Sequence, residues 1–295
     1  MGTTTNPTDE LRCTEQDGPE DFMALNEAVL YENEAANTMT LGWMNRYRLG
    51  KPVEQGALFL TIQRGEQPVG YAVQTRAKSG LLVSNMDDAA VDVLVNHLTA
   101  GMEPMACVFG PHTVAAQLST RWTEKHDVQA RREMRQGVYR LRTVKPPDRA
   151  NGRMQQANET MRERITAWEE RFIREVFRSE AQVEMNLQNM RQRTIEAERV
   201  YFWHDETGTP VCMAAKTRES RNIGYISLVY TPPEHRGKGY ASRLCALLSQ
   251  DILDSGKSFC MLNTDLDNPT SNALYQRIGY EQIGEWAAYG FDADE

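Results

Sequence analysis

Apolar positions along this chain recur with two periods, and the alternation between them lays out its elements. Residues 57–64 (ALFLTIQR) and 69–75 (VGYAVQT) are rich in aliphatic, aromatic and β-branched side chains, which predicts strands at 56–64 and 68–75 joined as a hairpin across Gly65, Glu66 and Gln67. Helical spacing precedes them, near 19–32 and 35–47; the second segment carries Leu41, Trp43 and Met44 and closes at Gly50 before Pro52. A third strand is expected at 80–85 and a helix at 89–100 with Val91, Leu94 and Leu98 on one face. A short buried strand at 104–109, a helix at 112–125 and a strand region at 128–144 follow. Beyond residue 152 the pattern starts again. Met161, Ile165, Trp168, Phe172 and Val176 mark one amphipathic helix, and Val183, Leu187 and Met190 a second at about 180–194. Strands at 198–204 and 209–216 form a hairpin across 205–208, and an apolar strand runs from Tyr225 to Tyr230. A helix carrying Leu244, Leu248 and Ile252, a buried strand at 258–264, a short helix at 269–277 ending at Gly279 and a last strand at 280–291 complete the chain.

The order in both halves is two helices, three strands, helix, strand, helix, strand. This repetition predicts a duplicated α/β domain, each copy a mixed sheet flanked by helices. The Pro-rich polar stretch 145–152 (KPPDRANG) is the expected linker, which divides the chain into a disordered tail at 1–18, a first domain at 19–146 and a second at 147–295. A length of 295 residues agrees with about two domains.

Composition narrows the function classes. Hydrophobic residues make up 40% and charged residues 25%, an ordinary globular balance, and the formal net charge of −8 with dispersed Lys and Arg argues against a nucleic-acid partner. The 5 cysteines are scattered, without a Cys-x-x-Cys pair, and the histidines show no ligand spacing, so no metal site is expected. No apolar run reaches membrane-spanning length and no signal segment opens the chain, which makes a cytoplasmic protein without membrane association the expectation.

The chemistry concentrates behind the strand that ends at Tyr230. Pro232 and Pro233 deny the strand ladder donors, and Arg236, Gly237, Lys238, Gly239, Tyr240 and Ala241 then open the next helix. Glycines there let a ligand approach backbone N–H groups, and the first N–H groups of a helix have no intrahelical partner and carry its positive dipole end. A pyrophosphate fits that turn. The equivalent place in the first half reads Ser84, Asn85, Met86, Asp87, Asp88, Ala89: no glycine, and two carboxylates that repel a phosphate.

Two blocks give the second half a resemblance. Arg236-Gly237-Lys238-Gly239-Tyr240-Ala241 is similar to the Arg/Gln-x-x-Gly-x-Gly/Ala signature of the GNAT superfamily of acetyl-CoA-dependent N-acetyltransferases. The stretch from Asn268 through Leu274-Tyr275 to Gly279-Tyr280 resembles that family's second block. The resemblance covers roughly the C-terminal half and implies two tandem GNAT-like domains, the N-terminal one degenerate. It implies acetyl-CoA as co-substrate and an amine-bearing small molecule or peptide as acceptor. By position, Val229 and Thr231 would hold the pantetheine arm and acetyl carbonyl through their backbone, and residues 236–241 the pyrophosphate. Asn268 would contact the arm as well as capping a helix, and Tyr275 would protonate or hydrogen-bond the leaving thiolate.

The base that takes the amine proton is left among Glu234, Tyr230, His204, Glu219 and a water chain, with Glu234 beside the turn as the expected group. Two other readings stay open, a CoA-binding regulatory module without turnover and an acyltransferase for a longer acyl-CoA. A homodimer is compatible with all three.

Overall fold

The computed structural model describes residues 10–293 apart from 78, 102–104, 148–149, 178–179 and 193–195. The chain divides into two compact units, Met1–Val138 with Thr264–Asn268 and Gln282–Glu295, and Tyr139–Asn263 with Pro269–Glu281.

In the first unit β1 (Leu11–Glu15) pairs antiparallel with β2 (Leu58–Arg64), and β2 with β3 (Gln67–Gln74). β4 (Leu81–Val83) continues antiparallel to β3 and runs parallel to β5 (Cys107–Pro111). Helices α1 (Pro19–Glu32) and α2 (Thr38–Arg48) cover one face, with Phe22, Leu30, Leu41 and Met44 packed on Phe59, Tyr71 and Val73. Helices α3 (Asp88–Gly101) and α4 (His112–Lys125) cover the other, where Leu94, Leu98, Leu118 and Trp122 meet Leu60, Ile62 and Val108. Strand alternation sends neighbours such as Phe59 and Leu60 to opposite faces, so an apolar run can serve two cores.

Strand β6 (Val128–Leu141) leads into the second unit, which begins with β7 (Arg153–Gln156) on β8 (Val200–His204). β8 pairs antiparallel with β9 (Pro210–Glu219), and β9 with β10 (Ile223–Tyr230). β10 then lies parallel to β11 (Phe259–Asp265). Helix α5 (Arg162–Val176) packs Ile165 and Trp168 against Phe202, Met213 and Tyr230, and α6 (Glu180–Gln192) adds Val183 and Leu187 beside Ile173. Across the sheet, α7 (Tyr240–Asp254) and α8 (Pro269–Arg277) bury Leu244, Cys245, Leu248, Ile252 and Tyr275 with Trp203, Cys212, Ile226, Cys260 and Leu262.

The mixed-sheet α/β architecture read from the pattern is present in each unit, and three details differ. Leu11–Glu15 is a strand rather than part of a disordered tail; residues 1–9 of that expected tail lie outside the described residues. Arg153–Gln156, directly after the expected linker at 145–152 and not among the expected elements, is an edge strand; Asp148 and Arg149 of that linker lie outside the described residues. The last strand, β12 (Glu281–Ala293), belongs to the first unit from Gln282 onward, where the linker-based division gives it to the second. It pairs antiparallel with β5, from Trp286↔Pro111 to Gly290↔Cys107. In each case the deciding interaction is a pairing distant in sequence, which local composition does not encode.

Candidate active site

The site in the second unit begins with an irregularity in β10. Ser227 pairs with Ala215 and Tyr230 with Met213, so two β10 residues, Leu228 and Val229, stand opposite one residue of β9. This is a β-bulge. At its first position Leu228 has φ 53, the one non-glycine residue with positive φ among the described residues. Such a conformation costs on the order of 1–3 kcal/mol and persists only where surrounding packing imposes it; here Leu228 lies against the Trp168–Phe202–Tyr230 core. On the other side, the parallel register with β11 runs over Ile223↔Phe259, Gly224↔Cys260 and Tyr225↔Met261, with no further pair among the described residues. β10 and β11 therefore leave backbone of 228–229 outside both ladders, the kind of opening an extended ligand arm fills by hydrogen bonding to main chain.

Tyr230 ends the strand, Pro233–His235 forms a single 3-10 turn, and the glycine turn follows. Gly237 has φ 77 and Gly239 φ 79, both in the left-handed region closed to most side chains. Gly239 is the residue before α7, so the unsatisfied N–H groups of a 15-residue helix open directly onto this turn. Gly237, Lys238 and Gly239 are exposed, Tyr240 and Ala241 half-buried against the α7 core. Arg236 is pinned: its Nε donates to the Thr231 carbonyl at 2.8 Å and its Nη2 to Glu175 Oε2 at 2.6 Å. Thr231, expected to offer its backbone to an acyl group, thus has its carbonyl engaged by Arg236.

Helix α8 carries the second block. Its end is a Schellman motif: Tyr280 N–H donates to the Tyr275 carbonyl at 3.0 Å and Gly279 N–H to the Gln276 carbonyl at 3.1 Å. Gly279 has φ 106, and a Cβ there would lie 2.7 Å from the Thr143 carbonyl, which explains the glycine structurally. Tyr275 is 7% exposed, its ring edge-on to Tyr280 at 5.9 Å. Burial pushes its hydroxyl well above the usual tyrosine range, with further upward contributions from the thiols of Cys245 and Cys212 and from Tyr225. The group therefore holds its proton through the ordinary tyrosine range. Asn268 is exposed, immediately before α8, and falls in the short segment that clusters with the first unit.

The base candidates occupy different places in the second unit. Glu219 pairs in register with Gly224, at the opposite end of β10 from the turn, and approaches Lys257 at 3.8 Å. His204 shares the Phe202 face of β8, with ring centroids 6.3 Å apart, while Trp203 between them faces α7. It is 4% exposed, its Nδ1 has no partner among the described residues, and burial followed by the nearby Arg153 and Arg164 lowers its proton affinity. Glu234, exposed on the 3-10 turn, and Tyr230 at the strand end remain beside the glycine turn. Glu175, absent from the sequence-based candidates, joins them: besides Arg236 it accepts the Tyr230 hydroxyl at 3.4 Å. A contact spanning 61 positions leaves no local signal in the sequence.

At the equivalent place in the first unit the helix entrance is closed by its own side chains. Asp87 Oδ1 accepts the Ala90 N–H at 2.9 Å, and Oδ2 accepts Arg64 Nη2 at 2.6 Å. Asp88 is held by Arg121 at 2.6 Å. A built-in carboxylate occupies the ground a phosphate would need.

Comparison with known proteins agrees with this architecture. A family model described as FR47-like protein matches residues 207–289, which include the bulge, the glycine turn and α8. N-alpha-acetyltransferase 30 of Schizosaccharomyces pombe is 27% identical over 89 residues, 29% of this chain; the aligned part spans 59% of that relative's length. Among solved structures, a Drosophila protein superposes with a TM-score of 0.66 at 12% identity, covering 97% of this chain and 100% of its own. A tandem GNAT protein from the clavulanic acid biosynthesis pathway gives 0.54 at 13% identity, with 97% and 99% covered. A GNAT-family acetyltransferase from Colwellia psychrerythraea gives 0.57 at 9%, with 95% and 100% covered. The chain has the GNAT fold in its tandem form.

Proposed function

We propose that this GNAT-fold chain is an N-acetyltransferase that moves the acetyl group of acetyl-CoA to a primary amine at the second unit. The observation that carries the reading is the pair of left-handed glycines, Gly237 and Gly239, opening α7 directly behind the Leu228 bulge. The turn residues Arg236, Gly237, Lys238, Gly239, Tyr240 and Ala241 offer amides, a helix dipole and two cations to the pyrophosphate. The extended arm then follows the backbone at Val229 and Thr231 between β10 and β11, with Asn268 beside it at the entrance to α8.

Acyl transfer requires that the amine lose a proton, that negative charge on the carbonyl oxygen be stabilised, and that the thiolate leave. Backbone N–H at the bulge supplies the donor for the oxyanion. Tyr275 supplies a hydrogen bond to the departing sulfur. Proton transfer from an ordinary tyrosine to an ordinary thiolate is already uphill by roughly 2 kcal/mol, and burial makes Tyr275 a still weaker acid, so it shares its proton with the sulfur rather than surrendering it. Glu234 is the proposed base, exposed on the 3-10 turn that precedes the glycines.

The test is titration with acetyl-CoA followed by thiol release on panels of polyamines, aminoglycosides, amino acids and peptide N-termini. Binding with turnover on one class supports the reading. Binding without thiol release on any amine leaves a CoA-binding module, and stronger competition by longer acyl-CoA thioesters moves the donor away from acetyl.

A further inference from the structure

We propose that Glu175 is a positioning residue of the cofactor turn, fixing the Arg236 guanidinium so that cation and turn amides meet the pyrophosphate together. The proposal rests on the acetyl-CoA reading above. Glu175 stands in the last turn of α5 and is distant in sequence from the turn it touches. Its Oε2 accepts Arg236 Nη2 at 2.6 Å and its Oε1 accepts the Tyr230 hydroxyl at 3.4 Å. The Thr231 carbonyl takes Arg236 Nε at 2.8 Å. Arg236 is therefore held on one edge by a carboxylate and on another by the strand end, and a planar guanidinium fixed at two nitrogens has its remaining donors aimed in one direction.

Exposure decides between a stability role and an orienting one. The side chains of Glu175 and Arg236 are 43% and 49% exposed. An ion pair so open to water adds little to folding, because solvent screens it and two long side chains must be held in one geometry. Orientation is where the arrangement has consequence. An untethered arginine must surrender its side-chain freedom when it grips an anion, whereas a tethered one has lost it already. Through Tyr230 the same carboxylate also ties α5 to the end of β10.

A carboxylate beside an anion site has a competing interpretation with the opposite sign: it would repel the pyrophosphate or occupy its cation. A double-mutant cycle on CoA affinity separates the two. Calorimetric titration of the full-length protein with CoA should show Glu175→Ala weakening binding roughly ten-fold, with Glu175→Gln intermediate because its amide oxygen still accepts from Arg236. Arg236→Ala should weaken binding at least as much, and adding Glu175→Ala to it should cost nothing further, because Glu175 acts through Arg236. Unchanged or tighter CoA binding by both Glu175 variants, or additive losses in the double variant, would overturn the proposal. Thermal melts of each variant serve as the folding control, and Glu175→Gln keeps the shape of the original should the alanine variant melt early. Failure of the unsubstituted protein to bind CoA would instead bring down the acetyl-CoA reading and this inference with it.

Discussion

Single residues set the chemistry through backbone angle and burial. Gly239 has room for a side chain, the nearest atom to an added Cβ being that of Ala150 at 4.0 Å, so what the backbone asks of this position is the positive φ, and the proposed phosphate site adds the need for a bare approach. Gly239→Glu is expected to leave the fold intact and abolish CoA binding, since a carboxylate then stands where the anion belongs. Retained CoA affinity in a folded Gly239→Glu protein, measured by calorimetry, would remove the phosphate cradle. Tyr275→Phe is expected to lower turnover about a hundred-fold while CoA affinity stays within about two-fold, because the ring still packs on Tyr280 and only the donor is lost. Steady-state rates on the responding amine check this, and near-normal turnover would return Tyr275 to the core.

Elements explain why the α7 entrance is open where the α3 entrance is closed. α7 begins at a glycine with no side-chain cap, whereas α3 begins behind Asp87, whose carboxylate takes the Ala90 N–H. That hydrogen bond, followed by the Arg64 contact, holds the Asp87 carboxyl below its ordinary range. Asp87→Ala should cost about 1 kcal/mol of stability in chemical denaturation, the usual value of an N-cap, without creating a second CoA site. A stoichiometry of two CoA per chain, in the original protein or in this variant, would contradict the degenerate reading of the first unit.

At the scale of the whole molecule, burial of titratable groups makes stability depend on pH. Burial pushes the Cys212 thiol up to about 12 and the Cys260 thiol to about 11, and raises Tyr275 and Tyr280 well above the ordinary tyrosine value of 10.0. Because these folded values lie above the unfolded ones, the unfolded chain releases its protons first as pH rises. The stabilisation is complete below the ordinary thiol value of 9.0 and declines above it, the phenols adding to the loss beyond pH 10. Melting temperatures followed from pH 8 to pH 11 should fall accordingly, and a flat profile would contradict the burial of this cluster. The last strand gives a second expectation. Removing residues 282–295 uncovers the β5 edge and takes Tyr289 and Phe291 from the first unit's core, so that unit should lose its protease resistance. Equal resistance with and without the strand would show its pairing to be dispensable.

The sequence by itself determined most elements, the duplication, and the turn at Arg236–Ala241 with its partner block around Tyr275. These rest on local rules: periodicity reports a buried face, proline ends a strand, and paired glycines open a helix without a side chain in the way. It also placed the carboxylates at Asp87 and Asp88 where a phosphate would be unwelcome. Only the tertiary structure decided what depends on pairing across the chain. Leu11–Glu15 is a strand because β2 offers it an edge, and Gln282 onward joins the first unit because β5 does the same. The bulge at Leu228 reads as uninterrupted apolar strand in sequence, since a register slip is a relation between two strands and belongs to neither alone. Among the base candidates, Glu219 lies at the far end of β10 from the turn, whereas His204 ends β8 on the face that also carries Tyr230. Glu175 entered the site for the complementary reason: α5 packs on the sheet through Ile165 and Trp168, and that packing carries a carboxylate 61 residues along the chain to Arg236.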